Sequence, residues 1–160
     1  GARAVKVQAL RVLGQVSPSS IGRCFMLSAA RALEGKEKVP AVVPPAAALI
    51  EADPARYVDE FRVRIDPRLG ESVDKVVTFQ FGDRVVGLHV RNGIAEFLPQ
   101  PAQYLRPADI ALALDAAAWA QLYVNPAAFA GLVQAGRVQV TTGSVEDATA
   151  VFALFDRLGA

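Results

Sequence analysis

Apolar positions along this chain follow one spacing near its start and another in its middle. Val5, Leu10 and Leu13 fall on a helical stripe that stops at Gly14. A second helical stripe starts after Ser17-Pro18-Ser19-Ser20, where Phe25 and Leu27 lead into an Ala-rich turn. Gly35 sits where a C-terminal cap belongs. Residues 36 to 48, "KEKVPAVVPPAAA", carry three prolines and read as a linker, because proline interrupts helix and sheet alike. Leu49, Ile50, Tyr57, Phe61 and Ile65 then predict helix, started or interrupted at Asp53-Pro54, with Asp as cap and Pro in the first turn.

From Asp74 the spacing becomes two. Val77, Phe79 and Phe81 share one face of a strand, Gly82-Asp83 turns the chain, and Val86, Leu88 and Val90 share a face of the next strand. Asn92-Gly93 is a strong hairpin signal, since both residues tolerate positive φ, and it leads into a strand from Ile94 to Leu98. "ADIALALD", 108 to 115, predicts a fourth strand with Ile110, Leu112 and Leu114 on one face. Two short helices follow, joined at Asn125-Pro126. The first presents Trp119, Leu122 and Tyr123, the second Phe129, Leu132 and Val133. "RVQVTT" supplies a fifth strand. Ser144 with Asp147 opens a last helix, with Ala148, Val151, Phe152, Phe155 and Leu158 on one side. The expected class is α+β: an antiparallel five-stranded sheet covered on one face by helices, preceded by a short helical segment.

Composition narrows the function classes. With 160 residues, 52% of them hydrophobic, and a mean hydropathy of +0.28, the chain is expected to fold as a globular body rather than stay disordered. No apolar run reaches the roughly 18 residues that span a membrane, and no leader pattern opens the sequence, so a soluble protein is expected. The net charge of +1 conceals a split. Residues 1 to 38 hold seven Lys/Arg against two Glu, leaving ten basic against fourteen acidic groups, or +5 and −4. The basic residues are dispersed among Ala, Val and Leu, which argues against nucleic acid as a partner. Docking between the two halves, or between two subunits, accounts for the split more simply.

Candidate chemistry is sparse. His89 is the only histidine and Cys24 the only cysteine, so neither a disulfide nor a transition-metal site built from Cys and His alone is available. His89 shares parity with Val85, Gly87 and Arg91, opposite to the apolar set, and is expected on the outside of the sheet. Cys24 is expected to be a small buried hydrophobe. The Thr141-Thr142-Gly143-Ser144 run reads as a strand exit and helix cap. Glu34, Glu37, Asp53, Asp59, Glu60, Asp66, Glu71 and Asp74 read as solvated charges in caps, linkers and turns. No GxGxxG, P-loop, paired-histidine or GxSxG motif occurs. No catalytic residue, no metal ligand and no cofactor is therefore predicted. What stands out is aromatic and aliphatic, on helices that must cover one sheet, and it reads either as an ordinary core or as the wall of a cavity.

Two stretches carry a family resemblance. "ALRVLGQVSPSSIGRCFMLSAARALEG" resembles the dimerisation region of bacterial alkyl sulfatases. It keeps Ala9-Leu10, Leu13-Gly14, Arg23, Phe25, Leu27, Ala30 and Leu33, and departs at Gly22, Cys24, Met26, Ala29 and Ala32. From about Tyr57 to Leu158, "VRIDP", "VTFQFGD", "RNGIAEF", "ADIALALD" and "GRVQVTTGSVEDATAVFALFDRL" resemble the C-terminal domain of the same enzymes, which has the sterol-carrier-protein type-two-like fold. The resemblance implies a helical dimerisation segment at 1-38, a Pro/Ala-rich linker and helix start at 39-56, and a sterol-carrier-like α+β domain at 57-160. It implies a helix-lined apolar cavity for an alkyl chain, walled by Trp119, Leu122, Tyr123, Phe129, Leu132, Phe152 and Phe155. An apolar or amphiphilic small molecule such as an alkyl sulfate or fatty acid would be the partner, and a homodimer the assembly.

Alkyl sulfatases hydrolyse sulfate esters at a binuclear zinc centre in a metallo-β-lactamase-like domain, which these residues do not include. The chain by itself is accordingly expected to be non-catalytic, an alkyl-chain or lipid-binding and dimerisation module. The alternatives are a purely structural assembly domain with no small ligand, and a fragment or subunit of a zinc-dependent alkyl sulfatase. The cytoplasm is the expected compartment, which low cysteine use permits, with a secreted or periplasmic parent protein as the alternative.

Overall fold

The computed structural model describes residues 1–36 and 43–159. Part of the expected linker, residues 37–42, lies outside the described residues. The chain divides into two compact units, Gly1–Ala41 and Val42–Ala160.

The first unit is a hairpin of α1 (Ala2–Val16) and α2 (Ser20–Leu33). Ser19 caps α2 by accepting a hydrogen bond from the Gly22 amide at 3.1 Å. The helices meet through small residues. Gly14 and Ala30 are buried, and a Cβ at Gly14 would stand 3.0 Å from the Leu27 side chain. Arg11 closes the open end with a bidentate pair to Glu34, at 2.8 and 2.7 Å, while Arg3 donates to the Leu33 carbonyl at 2.6 Å. The larger apolar side chains turn away from this seam: Val5, Val16, Ile21 and Phe25 are each about 70% exposed. Of the predicted α1 stripe, Val5 and Leu13 are exposed. Cys24 is exposed too, contrary to expectation, because α2 spends Leu27 and Ala30 on α1 and leaves Cys24 on the side of Ile21 and Phe25.

The second unit begins with α3 (Ala47–Ala52) and α4 (Pro54–Asp59), continued by a tighter turn over Glu60–Val63. The predicted helix at Leu49 to Ile65 is thus broken at Asp53, whose carboxylate accepts from the Arg56 amide and caps α4. β1 (Asp74–Phe81), β2 (Arg84–Arg91) and β3 (Ile94–Leu98) form a meander. Asn92 and Gly93 take φ of 48° and 75° in the second turn, as the Asn-Gly pair requires. After β4 (Ile110–Leu114) come α5 (Ala116–Val124), α6 (Phe129–Gln134), β5 (Val138–Thr142) and α7 (Val145–Phe152). Asp115 caps α5 and Ser144 caps α7.

The strands lie in the order β3-β2-β1-β4-β5. Three pairings are antiparallel, but β1 and β4 run parallel, with Val77 opposite Ile110 and Phe79 opposite Leu112. The sheet is therefore mixed, correcting the antiparallel expectation. The physical reason is the segment from Pro99 to Asp109. Instead of turning back beside β3, it crosses the sheet and delivers β4 to the far side of β1, and a parallel neighbour needs such a crossover.

One face of the sheet, with Val77, Phe79, Val86, Leu88, Val90, Ile110 and Leu112, packs with the helices into a single core. The other face receives the crossing segment as a strap. A Cβ at Gly87 would lie 3.0 Å from the Val77 carbonyl, so the missing side chain relieves a close approach to the backbone of β1, and Pro101 of the strap packs at contact distance, 3.5 Å, over the same spot. α7 ends at Phe152, earlier than the apolar spacing suggested. Phe155 instead pairs with Ile65 as an isolated bridge, and Leu158 donates its amide to Val124. These non-local backbone bonds end the helix while keeping Phe155 and Leu158 buried.

Candidate functional site

The seven predicted wall residues all lie in the core between helices and sheet. Trp119 and Leu122 of α5 are fully buried, and Tyr123, Phe129, Leu132, Phe152 and Phe155 are buried around them. Trp119 stands 5.2 Å from Phe61, 5.2 Å from Phe79 and 6.0 Å from Phe81, measured between ring centres. Phe152 of α7 stacks on Phe129 of α6 at 4.8 Å and meets Phe79 edge-on at 6.3 Å. Phe155 lies 4.5 Å from Phe61, and Tyr123 meets Tyr57 edge-on at 5.0 Å. The result is a continuous aromatic layer, of the kind in which offset and edge-on pairs add to area burial.

Phe61 and Phe79 join the predicted residues into that layer. Their burial was legible from helical spacing and strand parity. Their position at its hub was not, since it depends on the turn after α4 and on β1 both meeting Trp119 of α5.

Two polar systems border this layer. The buried Arg64 donates to the Tyr123 carbonyl at 2.6 Å and to the Asp156 carboxylate and carbonyl, both at 2.7 Å. Its guanidinium also lies 4.7 Å from the Phe61 ring centre and 4.6 Å from that of Tyr123. The Tyr123 hydroxyl donates to Glu60 at 2.5 Å, and its pKa is pushed up to about 12, first by burial and then by the Glu60 carboxylate. Phe155, Arg64 and Asp156 also line an open hollow of about 530 Å³ with residues 65–69.

The second system holds the strap. His89 has the predicted parity but is buried rather than surface-exposed, because the strap covers it. Its Nδ1 lies 2.7 Å from the Tyr104 hydroxyl and its Nε2 2.7 Å from Asp74. Arg106 of the strap also donates to Asp74, at 2.5 Å, and to Asp109, which accepts from the Val76 amide at 2.7 Å. These bonds, led by that from His89, hold the Asp74 carboxyl below its usual range. Beside the strap, residues 99–108 with Thr78 and Val85 line a hollow of about 970 Å³.

As a zinc site the donor set does not fit. Both ring nitrogens of the one histidine are engaged, Cys24 belongs to the other unit, and no group of three His, Cys, Asp or Glu stands together among the described residues. Among those residues no helix is long and apolar enough to cross a membrane.

These features define a two-layer α+β fold with a five-stranded mixed sheet, one face under helices and the other under a strap. The same fold occurs in a sulfatase. The structure of the stereoselective inverting sec-alkylsulfatase Pisa1 from Pseudomonas sp. matches 99% of this chain, with a TM-score of 0.63 and 20% identity, over 25% of its own length. The chain thus spans about a quarter of that enzyme. The UbiJ-SCP2 ubiquinone synthesis protein matches 69% of this chain and 96% of its own, with a TM-score of 0.44 and 17% identity. Sterol Carrier Protein 2 from Yarrowia lipolytica in its apo form matches 68% of this chain and 84% of its own, with a TM-score of 0.42 and 16% identity. No protein-family model and no curated protein sequence matches the chain.

Proposed function

We propose that the chain is a non-catalytic module that accepts an alkyl chain between its helices and sheet and pairs with a second copy through α1 and α2. The observation that carries the reading is the continuous aromatic layer from Phe61 through Trp119 and Phe79 to Phe152, in a fold shared with a sec-alkylsulfatase. An alkyl chain entering this layer exchanges water for aromatic and aliphatic surface. At roughly 0.8 kcal/mol per methylene, about ten carbons gain on the order of 8 kcal/mol before the cost of association. Micromolar affinity then requires no catalytic group. Pairing is supported by the apolar surface of the first unit, where Ile21, Cys24 and Phe25 border a hollow of about 380 Å³.

Titration with dodecyl sulfate below its critical micelle concentration, or with a fatty acid, tests the first part. Trp119 emission and the melting temperature are both expected to rise or shift with ligand, and a flat response in both refutes alkyl binding. Sedimentation tests the second part: the full chain is expected as a dimer, and a chain shortened to residues 43–160 as a monomer. Adding Zn²⁺ and an alkyl sulfate to the chain is expected to give no hydrolysis, and turnover would refute the non-catalytic reading.

A purely structural role is the second reading, favoured by the close ring contacts and complete burial of Trp119 and Phe61. It predicts the flat titration. A role as part of a larger sulfatase is compatible with the one-quarter span and leaves the alkyl-binding test unchanged.

A further inference from the structure

Trp119 is completely buried, yet its indole Nε1–H has no hydrogen-bond acceptor among the described residues. Its ring neighbours are Phe61, Phe79 and Phe81, none of which offers a lone pair. A buried tryptophan N–H normally finds a partner, since without one the water it gave up on burial is not replaced. Of the neighbouring polar groups, the Tyr123 hydroxyl reaches Glu60 and Arg64 is spent on Tyr123 and Asp156, while the Asn125 side-chain oxygen at the C-terminal end of α5 is the other buried atom without a partner among the described residues; as an acceptor it offers a ligand oxygen nothing.

We infer that the Trp119 indole is the donor that recognises an uncharged oxygen, of a ketone, alcohol or ester, on the alkyl chain that this layer accepts. The inference rests on the alkyl-binding reading and specifies its ligand. Charge decides the class. The buried polar or charged side chains of the unit are Arg64 and His89; the first is already paired, and the second lies on the opposite face of the sheet. A carboxylate or sulfate brought to Trp119 would have one N–H and no cation to offset its desolvation, whereas a neutral oxygen needs only that donor. Among the three rings around the indole, Phe81 is the one solvent reaches, so the chain passes beside Phe81 at the β1–β2 end.

Trp119 is the only tryptophan, so the ¹⁵N-labelled full chain gives a single indole resonance. The probes are methyl hexyl ketone and its methylene analogue, in which C=CH₂ replaces C=O. Both are expected to bind, with the indole proton moving downfield for the ketone alone. The ratio of ketone to methylene-analogue affinity is expected to fall about tenfold in Trp119→Phe. If both probes bind while the indole proton responds alike to each, or the affinity ratio survives in Trp119→Phe, the donor role is overturned and alkyl binding stands. If neither probe binds, alkyl binding fails and this inference with it. Should Trp119→Phe not fold, the wild-type resonance decides.

Discussion

Replacing Arg64 with Met should loosen the corner where the last turn of the chain docks against α5. The aliphatic stem is kept, so the change isolates the guanidinium. Three bonds are lost, to the Tyr123 carbonyl at 2.6 Å and to the Asp156 carboxylate and carbonyl at 2.7 Å each. The Asp156 side chain is 58% exposed and regains water, so its own bond contributes little to the loss. The Tyr123 carbonyl bond is buried, and leaving such an acceptor unmade costs about 1–3 kcal/mol. Losing the cation that lies against both the Phe61 and Tyr123 rings adds about 1–2 kcal/mol. The expected total is about 2–5 kcal/mol. Urea denaturation followed by far-ultraviolet circular dichroism measures it, with Asp156→Asn as the comparison. That variant keeps the main-chain acceptor and should cost under about 1 kcal/mol. The reasoning is refuted if Arg64→Met costs less than about 1 kcal/mol, or if Asp156→Asn costs as much, since the energy would then reside in the exposed ion pair.

Gly93→Ala should destabilise the second unit by about 1–3 kcal/mol or more, because φ is 75° and the new Cβ would lie 2.5 Å from the Pro67 carbonyl oxygen; denaturant midpoints measure this. Asp74 carries a lowered pKa in the folded chain, so its stabilisation of the strap is complete above the ordinary carboxylate range and is lost as pH falls through the lowered value. The Tyr104 ring resonances should therefore shift in acid, and Asp74→Asn should remove that step from the profile. Glu34 is held at about 2, chiefly by its hydrogen bond to Arg11, so the α1–α2 pairing it supports is complete above the ordinary glutamate range and fades as pH falls towards 2. Helix content followed down to that pH in wild type and Glu34→Gln checks this: the variant should lack the acid-dependent loss.

Much of the secondary structure was legible because its causes are local. Alternation at Val77, Phe79 and Phe81 marks a strand whatever lies across from it, Asn92-Gly93 supplies two residues able to take positive φ, and Ser144 caps a helix with its own hydroxyl. Membership of the aromatic layer was equally readable for Trp119, Phe129 and Phe152, since helical spacing puts them on the inward face. The family resemblance pointed to the fold now shared with a sec-alkylsulfatase over 99% of the chain.

Where the reading went astray, the deciding contact lay far off in sequence. Parity placed His89 on the correct face, but its burial depends on Tyr104 and the strap arriving from another part of the chain. Cys24 belongs to an apolar helix, yet the small residues Gly14 and Ala30 determine which side of that helix is covered. α7 stops at Phe152 because Leu154, Asp156 and Leu158 exchange backbone hydrogen bonds with Asp66, Arg64 and Val124.

The amino-acid sequence alone thus determined which residues form strands and helices and which faces are apolar, since hydrophobic spacing, caps and turn residues act over a few positions. Tertiary structure decided the parallel pairing of β1 with β4, the strap that buries His89, and the ring contacts that leave the Trp119 N–H without an acceptor among the described residues. Those outcomes depend on where a crossing segment and a packed helix come to rest, and no local pattern encodes that.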